Sequence, residues 1–338
     1  MARRLPPLPT IADIIRLYGL SARSQLSQNF LLDLNITERL VRVAGGDLSS
    51  CCVCEVGPGP GSLTRSILNA GAAHLIAVER DRRFLPSLEY DTGQCLPAFK
   101  LYSTVQLLSE ASEDRLKVVY GDALDFNIEE SCASFVEGKS WEGDPPNFHL
   151  MGNLPFNVSI PLLLKWLSLM ATRTGPFSLG RTQLTLTFQK EVAERIMAPP
   201  NDPQRSRLSV MTQHLCHVKW GFKIRGKAFT PPPKVDAVVL KLTPLVTPRI
   251  TVDYSTLEKV VKALFQYRRK YIRRGATLLF PEEKGGQTKA QREGLVEELF
   301  RLSGVEETLR PQALTIEQFG ALTSAYSQLV NTDNVASL

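Results

Sequence analysis

One tetrapeptide combines the groups needed to hold an exocyclic amine on an aromatic base: Asn153-Leu154-Pro155-Phe156, which follows the apolar run Phe148–Met151. The Asn153 side-chain oxygen and the Leu154 backbone carbonyl can accept hydrogen bonds from the two N–H groups of that amine. Held in this way, the nitrogen becomes more tetrahedral and can attack a methyl donor. Pro155 stiffens the turn, and Phe156 offers a stacking face. Alone, the tetrapeptide fits a strand-ending turn over a buried aromatic better than it fits such a pocket.

A glycine-rich turn upstream changes this balance. Gly57, Gly59 and Gly61 let the backbone approach a ligand closely, and the last glycine falls one position earlier than in the dinucleotide fingerprint. Glu79 ends the next predicted strand, where it can accept hydrogen bonds from both hydroxyls of a ribose. Asp122 ends the third, where it can accept from an adenine amino group. Together with the tetrapeptide, this ordered set predicts methyl transfer onto a base nitrogen, with NAD binding as the competing interpretation.

Two later segments carry groups suited to a nucleic acid. Phe229 lies in the proline-rich stretch 227–233. Two roles are open for it: a second aromatic wall of the base pocket, or a residue that packs on the sheet. Arg268, Arg269 and Lys270 form the densest basic cluster, for which we expect contacts to phosphates rather than bases. A sparser group of cations comprises Arg181, Lys190, Arg195, Arg205 and Arg207.

The composition fits a folded protein with a polyanionic partner. The 338 residues are 43% hydrophobic and 22% charged, and the net charge is +6; such a balance is compatible with nucleic-acid binding but does not require it. Cys51 and Cys54 have a CxxC spacing, but on a strand they point to opposite faces. We therefore expect buried cysteines, no metal and a reducing compartment. The longest apolar segment, Val158–Met170, contains Pro161 and Lys165, so no transmembrane helix is expected.

Apolar runs alternate with helical patterns between about residues 51 and 189. This rhythm predicts an α/β fold, a parallel Rossmann-like sheet with helices on both faces. Ligands of such sheets bind at the carboxyl ends of the strands, where both motifs fall. The predicted strands are Cys51–Val56, Leu75–Glu79, Lys117–Tyr120, Phe148–Gly152 and Leu184–Phe188.

The first 23 residues permit two interpretations. Arg3, Arg4, Arg16 and Arg23 stand against a single acid, Asp13, a composition that suits a mitochondrial transit peptide. Apolar residues nevertheless recur at helical spacing over residues 11–18, as in a helix of the folded domain. Composition alone leaves both interpretations open.

In their order, these motifs resemble the small-subunit ribosomal RNA adenine N6-dimethyltransferase family. Two segments, Trp141–Asn147 and Gly180–Lys190, resemble its mitochondrial branch. Phe156 departs from the family, in which tyrosine is common at this position, and the stretch 80–117 is longer than usual. The segments that carry the resemblance are Ser27–Leu31, Gly57–Gly61, Glu79, Gly121-Asp122, Asn153–Phe156, Gln189–Arg195, Phe229–Asp236 and Phe265–Lys270.

The resemblance implies S-adenosylmethionine as the methyl donor, with Gln28, Asn29, Leu31 and Asn153 contributing to its site. It also implies two adjacent adenosines in the 3′-terminal hairpin of the small-subunit rRNA as the target. The expected location is the mitochondrial matrix, and the expected form is a monomer that supports ribosome assembly.

Three regions follow: residues 1–22, an N-terminal segment with a targeting role; 23–243, a Rossmann-like methyltransferase domain; and 244–338, a small all-α C-terminal domain that binds RNA. The alternative is a nucleic-acid-binding factor of mitochondrial transcription or ribosome assembly with dispensable catalysis. Such a relative can lose Asn153 or Glu79, and both are present here. A DNA adenine methyltransferase is the third interpretation, which the family resemblance disfavours.

Overall fold

The chain divides into two compact units. In the computed structural model, the first comprises Met1–Ala193 and Val218–Val246, and the second Glu194–His217 and Thr247–Leu338. The structure describes residues 5–17, 22, 28–84, 108, 112, 114–281 and 289–336. The division at residue 246 lies close to the predicted boundary at 243. Residues 194–217, which we assigned to the first domain, instead group with the second unit.

Helices and strands alternate through the first half of the chain, and helices dominate its last part. In chain order they are α1 (Ile11–Leu17), β1 (Phe30–Leu31), α2 (Leu34–Ala44), β2 (Cys52–Val56), α3 (Ser62–Asn69), β3 (His74–Glu79), β4 (Leu116–Tyr120), α4 (Ile128–Cys132), β5 (Phe148–Gly152), α5 (Phe156–Thr172), β6 (Gln183–Gln189), α6 (Lys190–Met197), α7 (Arg207–Leu215), β7 (Cys216–Ile224), β8 (Phe229–Thr230), β9 (Ala237–Pro244), α8 (Tyr254–Gln266), α9 (Ile272–Ala276), α10 (Lys289–Ser303) and α11 (Ile316–Ala336).

The main sheet has seven strands in the order β4-β3-β2-β5-β6-β9-β7. The five strands predicted from the apolar runs are all present, and β4, β3, β2, β5 and β6 pair in parallel. These five strands confirm the predicted parallel sheet, to which the structure adds β9, paired antiparallel with β6. The sequence interpretation also missed β7, and the short strands β1 and β8, which form a separate antiparallel pair.

The cysteines of the CxxC stretch belong to the core of this sheet. Cys52 and Cys54 lie on β2, and both are buried. Every cysteine in the described part of the chain is buried and without a disulfide. Among the described residues, no group of histidine, cysteine or acidic side chains is arranged to hold a metal ion.

The N-terminal segment packs on the first unit. Ile11 of α1 is only 2% exposed. The Leu5 backbone N–H donates to Asn69 Oδ1 at 3.2 Å, and Arg65 Nη2 donates to the Pro9 carbonyl at 2.9 Å. These contacts favour the interpretation of α1 as a helix of the folded domain.

The second unit contains a buried arginine that joins several of its segments. Arg205 is fully buried; its guanidinium donates to the carbonyls of Ala198 at 2.8 Å and Leu314 at 3.2 Å, and to Gln213 Oε1 at 3.2 Å. Burial lowers the pKa of Arg205. The charged group of Arg205 therefore contributes to the internal hydrogen bonding of this unit.

None of the described helices is both long and apolar enough to cross a membrane.

Candidate active site

A cleft opens in the first unit beside the carboxyl ends of β2, β3 and β5, where the predicted motifs meet. It is lined in part by residues that the sequence singled out. These are Gln28, Asn29, Leu31, Gly57, Gly59, Glu79, Asn153, Leu154, Pro155, Phe156 and Phe229.

Five predicted residues do not line the cleft. Gly61 caps the N-terminus of α3, with φ of 86°. Asp122 accepts a hydrogen bond from the Leu124 N–H at 3.0 Å and pairs with Arg80 at 2.9 Å. Its role as an adenine acceptor stays a prediction. The other three, Arg268, Arg269 and Lys270, belong to the second unit.

Glu79 holds the glycine turn in shape. Its side chain is 5% exposed; Oε2 accepts from the Gly59 N–H at 3.0 Å, and Oε1 accepts from the Asp81 N–H at 2.7 Å. Burial raises the pKa of Glu79, while these backbone hydrogen bonds oppose the rise. Since a carboxylate oxygen has two lone pairs, each oxygen can still accept from a ligand hydroxyl.

Two glycines at this edge are required for different reasons. Gly57 has φ of 69°, a conformation that side-chain-bearing residues rarely adopt, but an added Cβ would lie 3.9 Å from Pro155 Cδ, an ordinary contact. At Gly152, which ends β5, an added Cβ would lie 2.8 Å from the Val56 carbonyl oxygen. Gly57 is thus needed for its backbone conformation and Gly152 for the close approach of two strands.

A hydrogen-bond network fixes the orientation of the Asn153 amide. Nδ2 donates to the Asn29 carbonyl oxygen at 3.2 Å, and Oδ1 accepts from Thr187 Oγ1 at 2.8 Å. A carbonyl can only accept, so the amide nitrogen must face Asn29, and the Thr187 hydroxyl must then act as the donor. Oδ1 keeps one lone pair for an amine. Thr187 is fully buried on β6 and was not predicted, because the segment Gly180–Lys190 marked a resemblance and assigned no role to its residues.

The aromatic residues of the cleft form an edge-to-face pair. Phe156 begins α5 immediately after Pro155, and its ring centroid lies 6.5 Å from that of Phe229, with an angle of 65° between the planes. Phe229 is 2% exposed and is held by pairing with Leu31. It therefore both packs in the core and lines the cleft, and the two rings do not form a parallel sandwich.

Glu55 is a cleft residue that the sequence interpretation passed over, although it begins the glycine motif. It is 1% exposed, and Oε2 accepts from Thr64 Oγ1 at 2.7 Å. Oε1 is buried without a hydrogen-bond partner in the described structure. Burial, with a smaller contribution from the charge of Glu79, raises the pKa of Glu55 to about 8, against the opposing effect of Thr64. At this pKa the carboxyl is mostly protonated at neutral pH, and its unpaired Oε1 can form a hydrogen bond with a polar ligand.

Gln28 is anchored at the rim of the cleft. Its Nε2 donates to Asp81 Oδ2 at 3.0 Å, and its Oε1 accepts from Arg83 Nη2 at 3.3 Å. Asp81 and Arg83 also form an ion pair at 2.5 Å. These contacts fix the start of the segment that includes Asn29, whose carbonyl orients Asn153.

Known proteins share this sequence and fold. A sequence profile described as "Ribosomal RNA adenine dimethylase" matches residues 19–298. Dimethyladenosine transferase 1, mitochondrial, of Xenopus tropicalis is 49% identical over 326 residues, 96% of this chain and 87% of that protein. The Homo sapiens protein of that name is 49% identical over 330 residues, 98% and 88% of the two chains. The one from Drosophila melanogaster is 43% identical over 339 residues, 99% and 92%.

Two solved structures share the fold at lower identity. A dimethyladenosine transferase from Plasmodium falciparum has a TM-score of 0.63 and 22% identity, covering 88% of this chain and 96% of that one. The 23S rRNA methyltransferase ErmE has a TM-score of 0.55 and 22% identity, covering 89% and 100%. They confirm the α/β class with C-terminal helices. Since the profile spans most of the sequence and full-length relatives approach half identity, the chain belongs to the ribosomal RNA adenine dimethylase family.

Proposed function

We propose that this enzyme dimethylates N6 of two adjacent adenosines in the 3′-terminal hairpin of mitochondrial small-subunit rRNA, in the matrix and as a monomer. Family membership gives the reaction class, S-adenosylmethionine-dependent N6-dimethylation of rRNA adenine. The relatives named mitochondrial support the compartment. The observation that carries the proposal is the Asn153 amide, held in one orientation with an acceptor lone pair left for an amine.

The cleft residues fit the methyl donor, which supplies an electrophilic methyl group when bound. The glycine turn at Gly57 and Gly59 gives close backbone approach. Glu79 can accept from ribose hydroxyls, and the buried unpaired Oε1 of Glu55 offers a further hydrogen-bonding position. A bound sulfonium cation would favour the ionised forms of the two buried carboxyl groups of this cleft, Glu55 and Glu79.

The acceptor side is built from two consecutive positions, Asn153 and Leu154, and one stacking ring. Asn153 Oδ1 accepts one N–H of the adenine amine, and the Leu154 carbonyl accepts the other. Phe156 stacks on the base and stabilises positive charge developing on the nitrogen. The base must leave any stack to reach these groups. No side chain has to remove the proton, which departs to water, so catalysis here is positioning and electrostatics.

The basic cluster of the second unit divides into two kinds of residue. Arg268 Nη2 donates to the Pro203 carbonyl, and Arg273 pairs with Glu297 and Glu307. Arg269 and Lys270 are exposed. We therefore assign the phosphate contacts chiefly to Arg269 and Lys270, with Arg268 also holding the fold.

The intact Asn153 network favours catalysis over a purely nucleic-acid-binding factor of mitochondrial transcription or assembly. The test compares cells that express the wild-type chain, Asn153→Ala or neither. Mass spectrometry of the 3′-terminal rRNA fragment should find dimethyladenosine with wild type alone. Full methylation with Asn153→Ala would contradict the site, and methylation at another rRNA position would contradict the proposed target.

A further inference from the structure

A second groove in the first unit is strongly cationic. It is formed by α2, the end of β7 and the segment that connects β7 to β8. Among the described residues that line it, none is acidic. Its five cations are Arg39, Arg42, Lys223, Arg225 and Lys227.

The positions of these cations follow from the elements that carry them. Along β7, Phe222 and Ile224 are buried, while Lys223 points outward and Arg225 follows it with the same exposure. Arg39 and Arg42 lie three residues apart and thus on one side of α2. The Arg39 guanidinium lies 4.1 Å from the centroid of the Phe222 ring, so α2 and β7 form the two walls of the groove.

Most of this charge is not neutralised by the protein. Lys223 pairs with Asp236 at 3.2 Å. For Arg42, Arg225 and Lys227, no ion pair is recorded within the described residues. Glu38, one turn before Arg42 on α2, does not line the groove; both residues line a neighbouring depression. Exposed like charges gathered in one concave surface repel each other, and an anionic ligand with repeated charges relieves that repulsion.

The groove adjoins the cleft that holds the base pocket. Ala228 lines the groove, and the next residue, Phe229, lines the cleft. Helix α2 also serves both, because Thr37 and Leu40 line the cleft while Arg39 lines the groove. The groove and the cleft therefore share α2 and the segment 228–229 as walls.

We propose that this groove binds the phosphate backbone of the RNA strand that delivers the acceptor base. The proposal rests on the proposed function for its ligand, since a strand of RNA supplies phosphates at regular spacing. Arg42, Arg225 and Lys227 act as point charges on that backbone, whereas Arg39 and Lys223 are partly engaged by Phe222 and Asp236.

The test measures the affinity of the full chain for the rRNA hairpin with its single-stranded flank over a salt series. Each phosphate contact to a single strand contributes about 0.7 to the slope of log affinity against log salt. The triple variant Arg42→Gln, Arg225→Gln, Lys227→Gln should therefore lower the slope by about 2. Two single variants provide a matched comparison, Lys227→Gln in the groove and Lys117→Gln as its control. Lys117 lies on β4, the strand at the opposite edge of the sheet. Lys227→Gln should lower the slope by about 0.7, and Lys117→Gln should leave it unchanged.

S-adenosylmethionine affinity serves as the folding control and should not change in any variant. An unchanged RNA slope in the triple variant, with normal cofactor binding, would overturn the groove. The proposal would also be wrong if the triple variant lost binding to vesicles of phosphatidylcholine and phosphatidylglycerol but retained its RNA affinity. The groove would then serve an anionic membrane. Failure of the proposed function is distinguishable: the wild-type chain would then not methylate the hairpin at all.

Discussion

The Thr187 hydroxyl should set the rate of methyl transfer although it lies one strand away from the reacting base. Thr187→Val removes one donor and keeps the shape of the side chain. Asn153 Oδ1 would lose the 2.8 Å hydrogen bond, and only the bond from Nδ2 to the Asn29 carbonyl would hold the amide. The amide could then rotate away from the orientation that the acceptor amine needs.

The size of the effect follows from that one bond. A buried hydrogen bond contributes about 0.5–1.5 kcal/mol net, and this bond distinguishes the productive amide orientation from the others. Losing it should lower kcat about 2- to 10-fold. The loss should be much smaller than for Asn153→Ala, which removes the acceptor itself. The affinity for S-adenosylmethionine should be unchanged.

Thr185→Val is the matched control. Thr185 lies two residues earlier on β6, is equally buried, and its hydroxyl has no hydrogen-bond partner in the described structure. Single-turnover methylation of the rRNA hairpin should be slowed by Thr187→Val, spared by Thr185→Val and retained by Thr187→Ser. Equal rates for the two valine variants would refute the positioning role.

Further outcomes are expected for variants of Asn153, Phe156, Glu55 and Ile11. Asn153→Ala should lower kcat by ~10²–10³ with cofactor affinity intact, and Phe156→Tyr should keep the activity that Phe156→Ala loses; hairpin methylation assays check both. The pKa of Glu55 is about 8 in the folded protein and ordinarily near 4.5. Wild type should therefore lose up to ~5 kcal/mol of unfolding free energy as the pH rises between these values. Glu55→Gln should remove this pH dependence. If the melting temperatures of the two proteins changed with pH by the same amount, the prediction would be wrong. Ile11→Ala should cost ~2 kcal/mol of unfolding free energy, and protein purified from mitochondria should retain residue 11; cleavage beyond it would favour a transit peptide.

The parallel strands were predictable because they are apolar runs, and some of these runs lead into a glycine or a polar residue that marks the end of the strand. The run that ends at Val56 leads into a glycine turn, and the run that ends at Gly152 leads into Asn153. Strand β9 was missed, although its residues are largely buried. An apolar run states that a strand is buried, but its direction depends on pairing with β6, which no local pattern encodes.

The candidate site was predictable where a residue lies in a motif and not where its role depends on a distant partner. Asn153 is marked by its neighbours Leu154 and Pro155, whereas Thr187 is one of two threonines on a buried strand. Asp122 shows the converse. It occupies a strand end, as predicted, but in the structure its carboxylate is engaged by Arg80 and the Leu124 N–H.

Cations were the least predictable residues, because the role of a guanidinium depends on the acceptors within its reach. Arg181 donates to the carbonyls of Trp141, Gly143 and Pro244, so it joins loops of the first unit and cannot serve mainly as an RNA contact. Arg225 has the same side chain, yet it lies exposed beyond the end of β7. A basic composition therefore indicates a polyanionic partner only after the arginines that satisfy buried carbonyls are set aside. In this protein that distinction moves the expected RNA path in the first unit from Arg181 to the groove along α2.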